Sequence, residues 1–233
     1  MKSNDLKFIP ALAGKLERFV KRGFRRAPRD FLSRVSGVIH VGANAGQERD
    51  LYAHYNLNVV WVEPIPDVFA RLKENIQDFP RQQAYQYLVT DEDRREYEFY
   101  IASNEGQSSS ILDFNLHKEI WTDIDYKSSI VLKSIKLESL IEAEGIEIKK
   151  YDALIMDTQG TELLVLKGAE SLLSRFKYIK TEAADFEVYK DCCQVKDIEE
   201  FVQKHGFKEI SRKTFASRTD GGSCFDIVYK NLR

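Results

Sequence analysis

The sequence predicts a doubly wound α/β fold with a mostly parallel sheet and an antiparallel C-terminal edge strand. Short apolar runs rich in β-branched residues alternate with amphipathic helical patterns along most of the chain. A turn of small residues, 42–46, follows the first of these runs, as at the start of a ligand-binding βαβ unit. The last two apolar runs lie close together and are joined through Asp220, Gly221 and Gly222, which favours an antiparallel pair.

Each element follows from its local pattern. The predicted strands are 38–41, 58–62, 83–89, 97–102, 130–135, 151–156, 178–182, 207–211 and 224–229. The predicted helices are 47–55, 66–76, 137–141, 162–176 with a pause at Gly168, and 195–205, with a further amphipathic piece around 114–121. No internal repeat or low-complexity linker divides residues 35–233, so the sequence predicts a single domain there.

Composition narrows the class of protein. The chain has 233 residues, of which 43% are hydrophobic, and this is enough apolar material for one large domain. Its net charge of −2 gives no general attraction to nucleic acid, so a nucleic-acid partner is not expected. The three cysteines have neither metal-ligand nor disulfide spacing, which predicts reduced thiols and a cytoplasmic location. The sequence shows neither a membrane-spanning apolar run nor a signal-peptide core.

Residues 1–34 are predicted to form a basic helical extension that precedes the domain. Lysine and arginine residues between positions 15 and 26 surround apolar residues at helical spacing, namely Leu12, Leu16, Phe19 and Val20. One interpretation is a helix that covers one end of the sheet and has a solvated charged side. The other is a surface that makes weak contact with an anionic membrane or a polyanionic substrate.

The turn after the first predicted strand is the main candidate binding feature. Gly42, Ala43, Asn44 and Gly46 let a ligand lie against the backbone, and the next helix offers free N–H groups to an anion. Glu63 ends the next strand, where nucleotide-binding βαβ units keep the carboxylate that binds ribose hydroxyls. The spacing differs from G-x-G-x-x-G, which favours a mononucleoside over a dinucleotide. The alternative is an ordinary βαβ crossover without a ligand.

Four motifs in this order resemble those of the FkbM family of S-adenosylmethionine-dependent methyltransferases. They are His40-Val41-Gly42-Ala43-Asn44-Ala45-Gly46, then Glu63-Pro64, then Ser108-Ser109-Ser110-Ile111-Leu112, and then Asp157-Thr158-Gln159-Gly160-Thr161-Glu162 with Leu166-Lys167-Gly168-Ala169. The resemblance covers about 35–229. It implies a Rossmann-like fold of the class I methyltransferase type, with S-adenosyl-L-methionine as cofactor. His40 stands where the family has an aspartate and Gln159 where it has a glutamate, so each replaces a carboxylate with a neutral or switchable group.

The resemblance, together with the rule that ligands sit at the carboxyl ends of parallel strands, predicts a cofactor site. The turn takes the carboxylate of the amino-acid tail, Glu63 accepts hydrogen bonds from the ribose, and the strand end near Val89 and Thr90 flanks the adenine. The predicted cofactor-binding residues are His40, Gly42, Ala43, Asn44, Gly46, Gln47, Glu63, Pro64, Val89, Thr90 and Asp157.

A hydroxyl acceptor must lose its proton as it attacks a methyl group, and the candidate bases are Asp157, His117, Glu162 and Glu182. Asp157 ends a buried strand predicted beside the first strand, and histidine has the unperturbed pKa nearest neutrality. The alternatives are a turn cap for Asp157, a helix N-terminal role for Glu162 and a helix-surface position for His117. The candidate acceptor-binding residues are Ser109, Ser110, Gln159 and Glu182, and no metal site is predicted.

The leading functional hypothesis is O-methylation of a hydroxyl on a sugar, glycan or secondary metabolite, with a small molecule or carbohydrate as partner. The second is a nicotinamide-dependent oxidoreductase, which the lack of G-x-G-x-x-G and of a Tyr-x-x-x-Lys pair in a suitable helix disfavours. The third is a non-catalytic nucleoside-binding module, which the neutral residues His40 and Gln159 motivate. Neither the acceptor nor the oligomeric state follows from the sequence.

Overall fold

A computed structural model describes residues 29–233 of the chain. Within this range the strands are β1 Gly37–Val41, β2 Asn58–Val62, β3 Gln82–Tyr85, β4 Leu88–Val89, β5 Glu96–Ala102, β6 Tyr126–Ile135, β7 Ala153–Met156, β8 Tyr178–Ala184, β9 Phe207–Ser217 and β10 Ser223–Asn231. The α-helices are α1 Arg49–His54, α2 Pro66–Asn75, α3 Leu137–Ala143, α4 Glu162–Lys167 and α5 Val195–Lys204. Short 3-10 segments span Arg29–Arg34, Leu116–Glu119, Ile148–Lys150 and Glu170–Arg175.

The main sheet has the strand order β3-β2-β1-β7-β8-β10-β9. Its neighbours are parallel except for β10, which is antiparallel to both β8 and β9. The chain moves outward from β1 to β3 and then returns to β7 on the other side of β1. The carboxyl ends of β1 and β7 therefore flank a topological switch point, where ligands of such folds bind. The predicted fold class is confirmed, including the antiparallel edge.

The central strands are covered on both faces, and all five residues of β1 are buried. Ile39 and Val41 pack in one hydrophobic cluster with Met156 of β7. Val38 and Trp61 pack in a second cluster on the opposite face. This burial on two faces explains why the central strands appear in the sequence as continuous apolar runs without alternation.

The segment between β3 and α3 builds a second, three-stranded sheet in the order β4-β6-β5. The prediction of one strand over 83–89 is therefore wrong. β3 pairs with β2 in the main sheet, whereas β4 pairs with β6 in the second sheet, and Gln86 and Tyr87 separate the two strands. Hydrophobic patterning reports burial but not the partner of a strand, so the change of sheet left no signal in the sequence.

Other predicted boundaries shift for identifiable reasons. α1 begins at Arg49 rather than at residue 47, because the preceding residues form the turn, in which Asn44 and Gly46 have positive φ. The predicted helix 162–176 is divided at Gly168, where an added Cβ would lie 2.0 Å from the carbonyl oxygen of Thr90. β9 and β10 both extend beyond the predicted strands.

The predicted basic extension lies mostly outside the described residues, so its helix and its membrane contact stay predictions. Of the extension, the 3-10 segment at 29–34 is described. Its Phe31 and Leu32 pack in the same cluster as Val38, and the Phe31 ring lies 5.4 Å from the ring of Tyr178. No helix within residues 29–233 is long and apolar enough to cross a membrane.

Candidate active site

The turn after β1 is held by the backbone of the neighbouring strands. The N–H groups of Gly42 and Ala43 both donate to the carbonyl oxygen of Val62, each at 3.0 Å. Gly42 has φ +80°, and a Cβ added there would lie 1.9 Å from the carbonyl oxygen of Asp157. Glycine is therefore required at this position, because the end of β7 approaches the turn this closely.

Glu63 faces this turn from the end of β2. One carboxylate oxygen accepts a hydrogen bond from the backbone N–H of Asn44 at 2.9 Å, and the other accepts one from Ile65 at 2.9 Å. Burial raises the pKa of Glu63 to about 7, although these two hydrogen bonds favour the charged form. Each oxygen keeps a further lone pair, so the carboxylate is able to accept from two ligand hydroxyls as well.

A loop, 103–110, covers the outer side of the turn. The side-chain amide of Asn44 donates to the carbonyl oxygen of Glu105 at 3.2 Å, and Arg71 of α2 donates to the same oxygen at 3.3 Å. The Asn44 side-chain oxygen accepts from Gln47 at 3.0 Å. Asn44 and Gln47, both predicted to bind the cofactor, therefore lie together at the mouth of the turn.

Asp157 follows β7 directly and lies beside the turn. Its backbone N–H donates to the carbonyl oxygen of Val41 at 3.0 Å, which fixes the end of β7 against the end of β1. Its carboxylate accepts a hydrogen bond of 2.5 Å from the amide nitrogen of Gln159. Burial raises the pKa of Asp157 to about 7, and this hydrogen bond opposes the rise. The structure thus brings Asp157 and Gly42 together, as the sequence predicted for a strand next to β1.

Glu162, at the start of α4, uses its carboxylate to hold the turn that follows β7. It accepts the backbone N–H of Thr158 at 2.9 Å and that of Gly160 at 3.1 Å. Burial raises the pKa of this carboxyl, and the backbone hydrogen bonds oppose the rise. These contacts favour the alternative in which Glu162 stabilises the helix start over the one in which it acts as a base.

Glu182 lies on β8, the strand next to β7. Burial raises its pKa well above the ordinary value, and the negative charges of Asp157 and Asp226 raise it further. On the same strand, the Lys180 ammonium forms an ion pair of 2.7 Å with Asp226. The carboxyl ends of β7 and β8 therefore present a group of half-buried and buried acids accompanied by a half-buried cation.

His117 is buried in a cluster of aromatic rings, so the helix-surface alternative is wrong. Its ring stacks on Phe114 at 4.2 Å and lies 4.8 Å from Trp121 and 5.5 Å from Tyr189. Burial lowers the pKa of His117 to about 4, so the ring is neutral near pH 7. The sequence predicted an amphipathic piece around 114–121, but the structure has only a short 3-10 segment there, so helical spacing did not indicate which residues surround this ring.

His40 is also buried, within β1. Its ring stacks on Trp61 at 5.0 Å, and its Nδ1 shares a hydrogen bond of 3.1 Å with the hydroxyl of Tyr52. Burial lowers the pKa of His40 to about 3. The ring thus contacts the core between β1, β2 and α1, and any effect on a ligand in the turn would pass through this packing.

The remaining predicted cofactor residues have different surroundings. Pro64 is half-buried between Glu63 and Ile65. Val89 belongs to the main hydrophobic cluster. The buried Thr90 hydroxyl donates to the carbonyl oxygen of Glu92 at 3.1 Å. Val89 and Thr90 therefore serve packing between β4 and the rest of the fold, and their predicted contact with an adenine stays a prediction.

The predicted acceptor residues Ser109 and Ser110 are buried in the loop 103–110. The Ser109 hydroxyl accepts the N–H of Ala102 at 2.9 Å, and the Ser110 hydroxyl donates to the carbonyl oxygen of Gln159 at 2.8 Å. Both hydroxyls are thus engaged within the protein. Ser110 ties the loop over the glycine turn to the turn that carries Asp157.

Sequence patterns did not identify Tyr189, which contacts Gln159, the hydrogen-bond partner of Asp157. Its hydroxyl donates to the side-chain oxygen of Gln159 at 2.6 Å and lies 3.3 Å from the carbonyl oxygen of Ser108. The mixture of acidic and aromatic residues over 180–189 was the available signal, but it carried no information about a contact with Gln159. Among residues 29–233 no group of three or more His, Cys, Asp or Glu side chains is arranged to hold a metal ion.

Comparison with known proteins agrees with this geometry. Residues 40–209 match the family described as the Methyltransferase FkbM domain. The 2-O-methyltransferase NoeI of Sinorhizobium fredii is 25% identical over 161 residues, which cover 66% of this chain and 65% of that protein. This chain thus matches slightly less than two thirds of the length of that relative.

A solved methyltransferase structure has a similar fold. It is that of the magnesium protoporphyrin IX methyltransferase ChlM from Synechocystis PCC 6803, solved with bound SAM. ChlM is 10% identical to this chain with a TM-score of 0.51, and the match covers 98% of this chain and 86% of the ChlM chain. Fibrillarin from Aeropyrum pernix is 12% identical with a TM-score of 0.47, covering 92% of this chain and 74% of its own. Because the family match spans well over half of the sequence, the chain belongs to the FkbM methyltransferase family.

Proposed function

We propose that the protein transfers a methyl group from S-adenosylmethionine to a hydroxyl of a sugar, glycan or other small molecule. The observation that carries the proposal is the buried carboxylate of Glu63, which faces the glycine turn and lies across it from Asp157. Family membership supports methyl transfer over the nicotinamide-dependent alternative. The relative named as a 2-O-methyltransferase supports oxygen as the acceptor atom.

The residues of the turn suit the ribose of a nucleoside. The backbone N–H groups of residues 42–46 already donate within the protein, so the predicted contact of this turn with the amino-acid tail stays a prediction. Gly42 leaves no room for a side chain beside Asp157, so the backbone itself forms the floor of the site. Glu63 would accept from the ribose hydroxyls with the lone pairs that Asn44 and Ile65 do not use. When bound, S-adenosylmethionine supplies a methyl group on a sulfonium cation, and the acids at the ends of β2 and β7 suit a cation.

Asp157 is the proposed general base. Its pKa of about 7 lies near the pH at which it would act, and proton transfer is most efficient under this condition. It would take the proton of the acceptor hydroxyl as the oxygen attacks, and Glu182 on the neighbouring strand would bind the acceptor. His117 is a weaker candidate, because burial lowers its pKa to about 4.

Calorimetry with S-adenosylhomocysteine tests the donor site. We expect the wild-type protein to bind this product and Glu63→Ala to bind it at least tenfold more weakly, because the ribose loses its acceptor. Glu74→Ala, on the exposed side of α2, is the matched control and should bind as the wild type does. Absence of binding to the wild type, or equal binding by Glu63→Ala, would contradict the proposal.

A non-catalytic binding module is the second candidate, because Gln159 and the neutral His40 stand where the family motif has acids. A panel of hydroxylated acceptors and a donor with a labelled methyl group separates the two candidates. Transfer to any acceptor that Asp157→Asn abolishes supports catalysis, whereas donor binding without transfer across the panel supports the module. The cytoplasmic location and the lack of a nucleic-acid partner stay predictions from composition.

A further inference from the structure

Gln159 is held in an unusual backbone conformation beside the proposed base. Its φ of +55° lies in the left-handed region, which residues other than glycine rarely adopt. Its carbonyl oxygen accepts the Ser110 hydroxyl at 2.8 Å. A Cβ added to the next residue, Gly160, would lie 3.1 Å from the Tyr189 ring, so the turn is packed directly against this ring. The backbone from which the Gln159 side chain extends is therefore held in place.

The two ends of the Gln159 carboxamide have different partners. The nitrogen donates to a carboxylate oxygen of Asp157 at 2.5 Å, and the oxygen accepts from the Tyr189 hydroxyl at 2.6 Å. A reversed amide would place its oxygen against the carboxylate, with no proton between them. Only one of the two amide orientations therefore satisfies both neighbours.

We propose that Tyr189 is a positioning residue of the active site, which fixes the Gln159 carboxamide so that this amide holds one carboxylate oxygen of Asp157. The inference rests on the proposed function, because Tyr189 acts through the proposed base. Glutamine at this position supplies the donor in this chain. A glutamate there could not donate to Asp157 unless it were protonated, and its charged form would add a negative charge next to that of Asp157.

Tyr189 is itself immobilised by its surroundings. The side chain is almost fully buried, and its ring is tilted against Phe114 at 5.7 Å and His117 at 5.5 Å. Burial raises the pKa of the Tyr189 hydroxyl well above its ordinary value, so it stays protonated and able to donate. The aromatic cluster that buries His117 thus supports the hydroxyl that orients Gln159.

The effect on Asp157 is specific to one of its oxygens. Oδ1 accepts from Gln159. This amide thus anchors one oxygen, and the other oxygen is the one that would meet a reacting group. A hydrogen bond to the charged form of a carboxyl lowers its pKa, so the loss of this amide donor should raise the pKa of Asp157.

A carbon-13 titration of aspartate carboxyl groups tests this directly, with Asp157→Asn used to assign the Asp157 signal. We expect the titration midpoint to rise by about one pH unit in Gln159→Glu and by about half a unit in Tyr189→Phe. Replacement of Tyr189 by 4-aminophenylalanine returns an N–H donor and should restore most of the wild-type midpoint. Tyr229→Phe removes another buried hydroxyl, far along the chain on β10, and should leave the midpoint unchanged.

Each outcome of the titration decides the inference. A rise in Gln159→Glu alone, a rise in neither variant, or an equal rise in Tyr229→Phe would overturn the role of Tyr189. If Tyr189→Phe does not fold, Tyr189→Met, which also lacks a donor, takes its place. S-adenosylhomocysteine binding is measured on the same samples. Binding by the wild type with unchanged midpoints refutes this inference alone, whereas no binding by the wild type refutes the proposed function.

Discussion

The two halves of the proposed active site hold their acids in different ways. Glu63 ends β2 and accepts hydrogen bonds from backbone N–H groups, those of Asn44 and Ile65. Asp157 ends β7 and accepts its hydrogen bond from a side chain, that of Gln159. Burial raises the pKa of both carboxyls to about 7, although Glu63 is buried and Asp157 is half-buried. The two acids differ in the source of their donors.

This difference indicates which changes each half will tolerate. A backbone donor stays in place whatever side chains surround it, provided that the turn keeps its shape. A side-chain donor depends on the residues behind it, here Tyr189 and its aromatic neighbours. We therefore expect the environment of Glu63 to respond to changes that move the turn. The environment of Asp157 should also respond to changes in residues that do not contact it, such as Tyr189.

Gly42→Ala should have the largest effect, because it disrupts both halves at once. The added Cβ would lie 1.9 Å from the carbonyl oxygen of Asp157, at a residue whose φ is +80°. We expect loss of S-adenosylhomocysteine binding in calorimetry and a decrease of about 4 kcal/mol in the free energy of unfolding in urea. Gly145→Ala also has positive φ but no neighbour within 4 Å, so it should cost only about 1 kcal/mol. Wild-type affinity in Gly42→Ala would show that the two strand ends need not lie this close.

The pH dependence of stability should show the next largest effect. The pKa of Glu63 rises from 4.5 to about 7 on folding, so the folded protein holds this proton more tightly than the unfolded chain does. The stabilisation is complete below pH 4.5 and is lost as the pH rises to about 7. The free energy of unfolding in urea should therefore be lower at pH 8 than at pH 5. We expect this decrease to be smaller in Glu63→Gln than in the wild type, by roughly 3 kcal/mol.

The exposed Glu74→Gln on α2 is the control for this measurement and should retain the full wild-type decrease. An identical pH dependence in the wild type and Glu63→Gln would mean that the Glu63 carboxyl is hydrated in the folded protein. Glu63 and Asp157 would then no longer share a pKa that burial raises.

Arg71→Ala should have the smallest effect and concerns the loop 103–110 over the glycine turn. Arg71 donates to the Glu105 carbonyl at 3.3 Å and lies 3.7 Å from its carboxylate, and both side chains are largely exposed. We expect the unfolding free energy to change by less than about 1 kcal/mol, since exposed ion pairs contribute little. The dissociation rate of S-adenosylhomocysteine should rise roughly threefold in stopped-flow measurements, because the loop opens more often.

Lys133→Ala removes a comparable exposed ion pair, 3.6 Å from Glu96 on the second sheet, and should leave the dissociation rate unchanged. Equal rates in Arg71→Ala and the wild type would indicate that Asn44, rather than Arg71, holds the loop over the turn.

The sequence predicted the features that depend on neighbouring residues in the chain. The predicted strand 58–62 coincides with β2, and the predicted helix from residue 66 coincides with α2 to within one residue. Glu63 follows directly from these, because a residue at the end of a buried parallel strand lies at the ligand-binding edge. Local backbone preference and continuous burial were sufficient for these elements.

Long-range contacts were not accessible in this way. His117 has the residue type of a base, but the rings of Phe114, Trp121 and Tyr189 bury it and lower its pKa to about 4. Glu162 differs, because the backbone that it binds lies two to four residues away, and the sequence already offered a role at the helix start for it. Residue type indicated what His117 could do, and burial decided what it does.

The sequence by itself determined the βαβ start, the position of Glu63 and the family, because these follow from apolar runs, small turn residues and ordered motifs within short stretches. The tertiary structure alone decided the partners of Gln159, since Asp157 is two residues away and Tyr189 is thirty residues away in the chain. Hydrogen bonding depends on distance and direction in space, and only the packing of β7 against β8 and the following loop sets both.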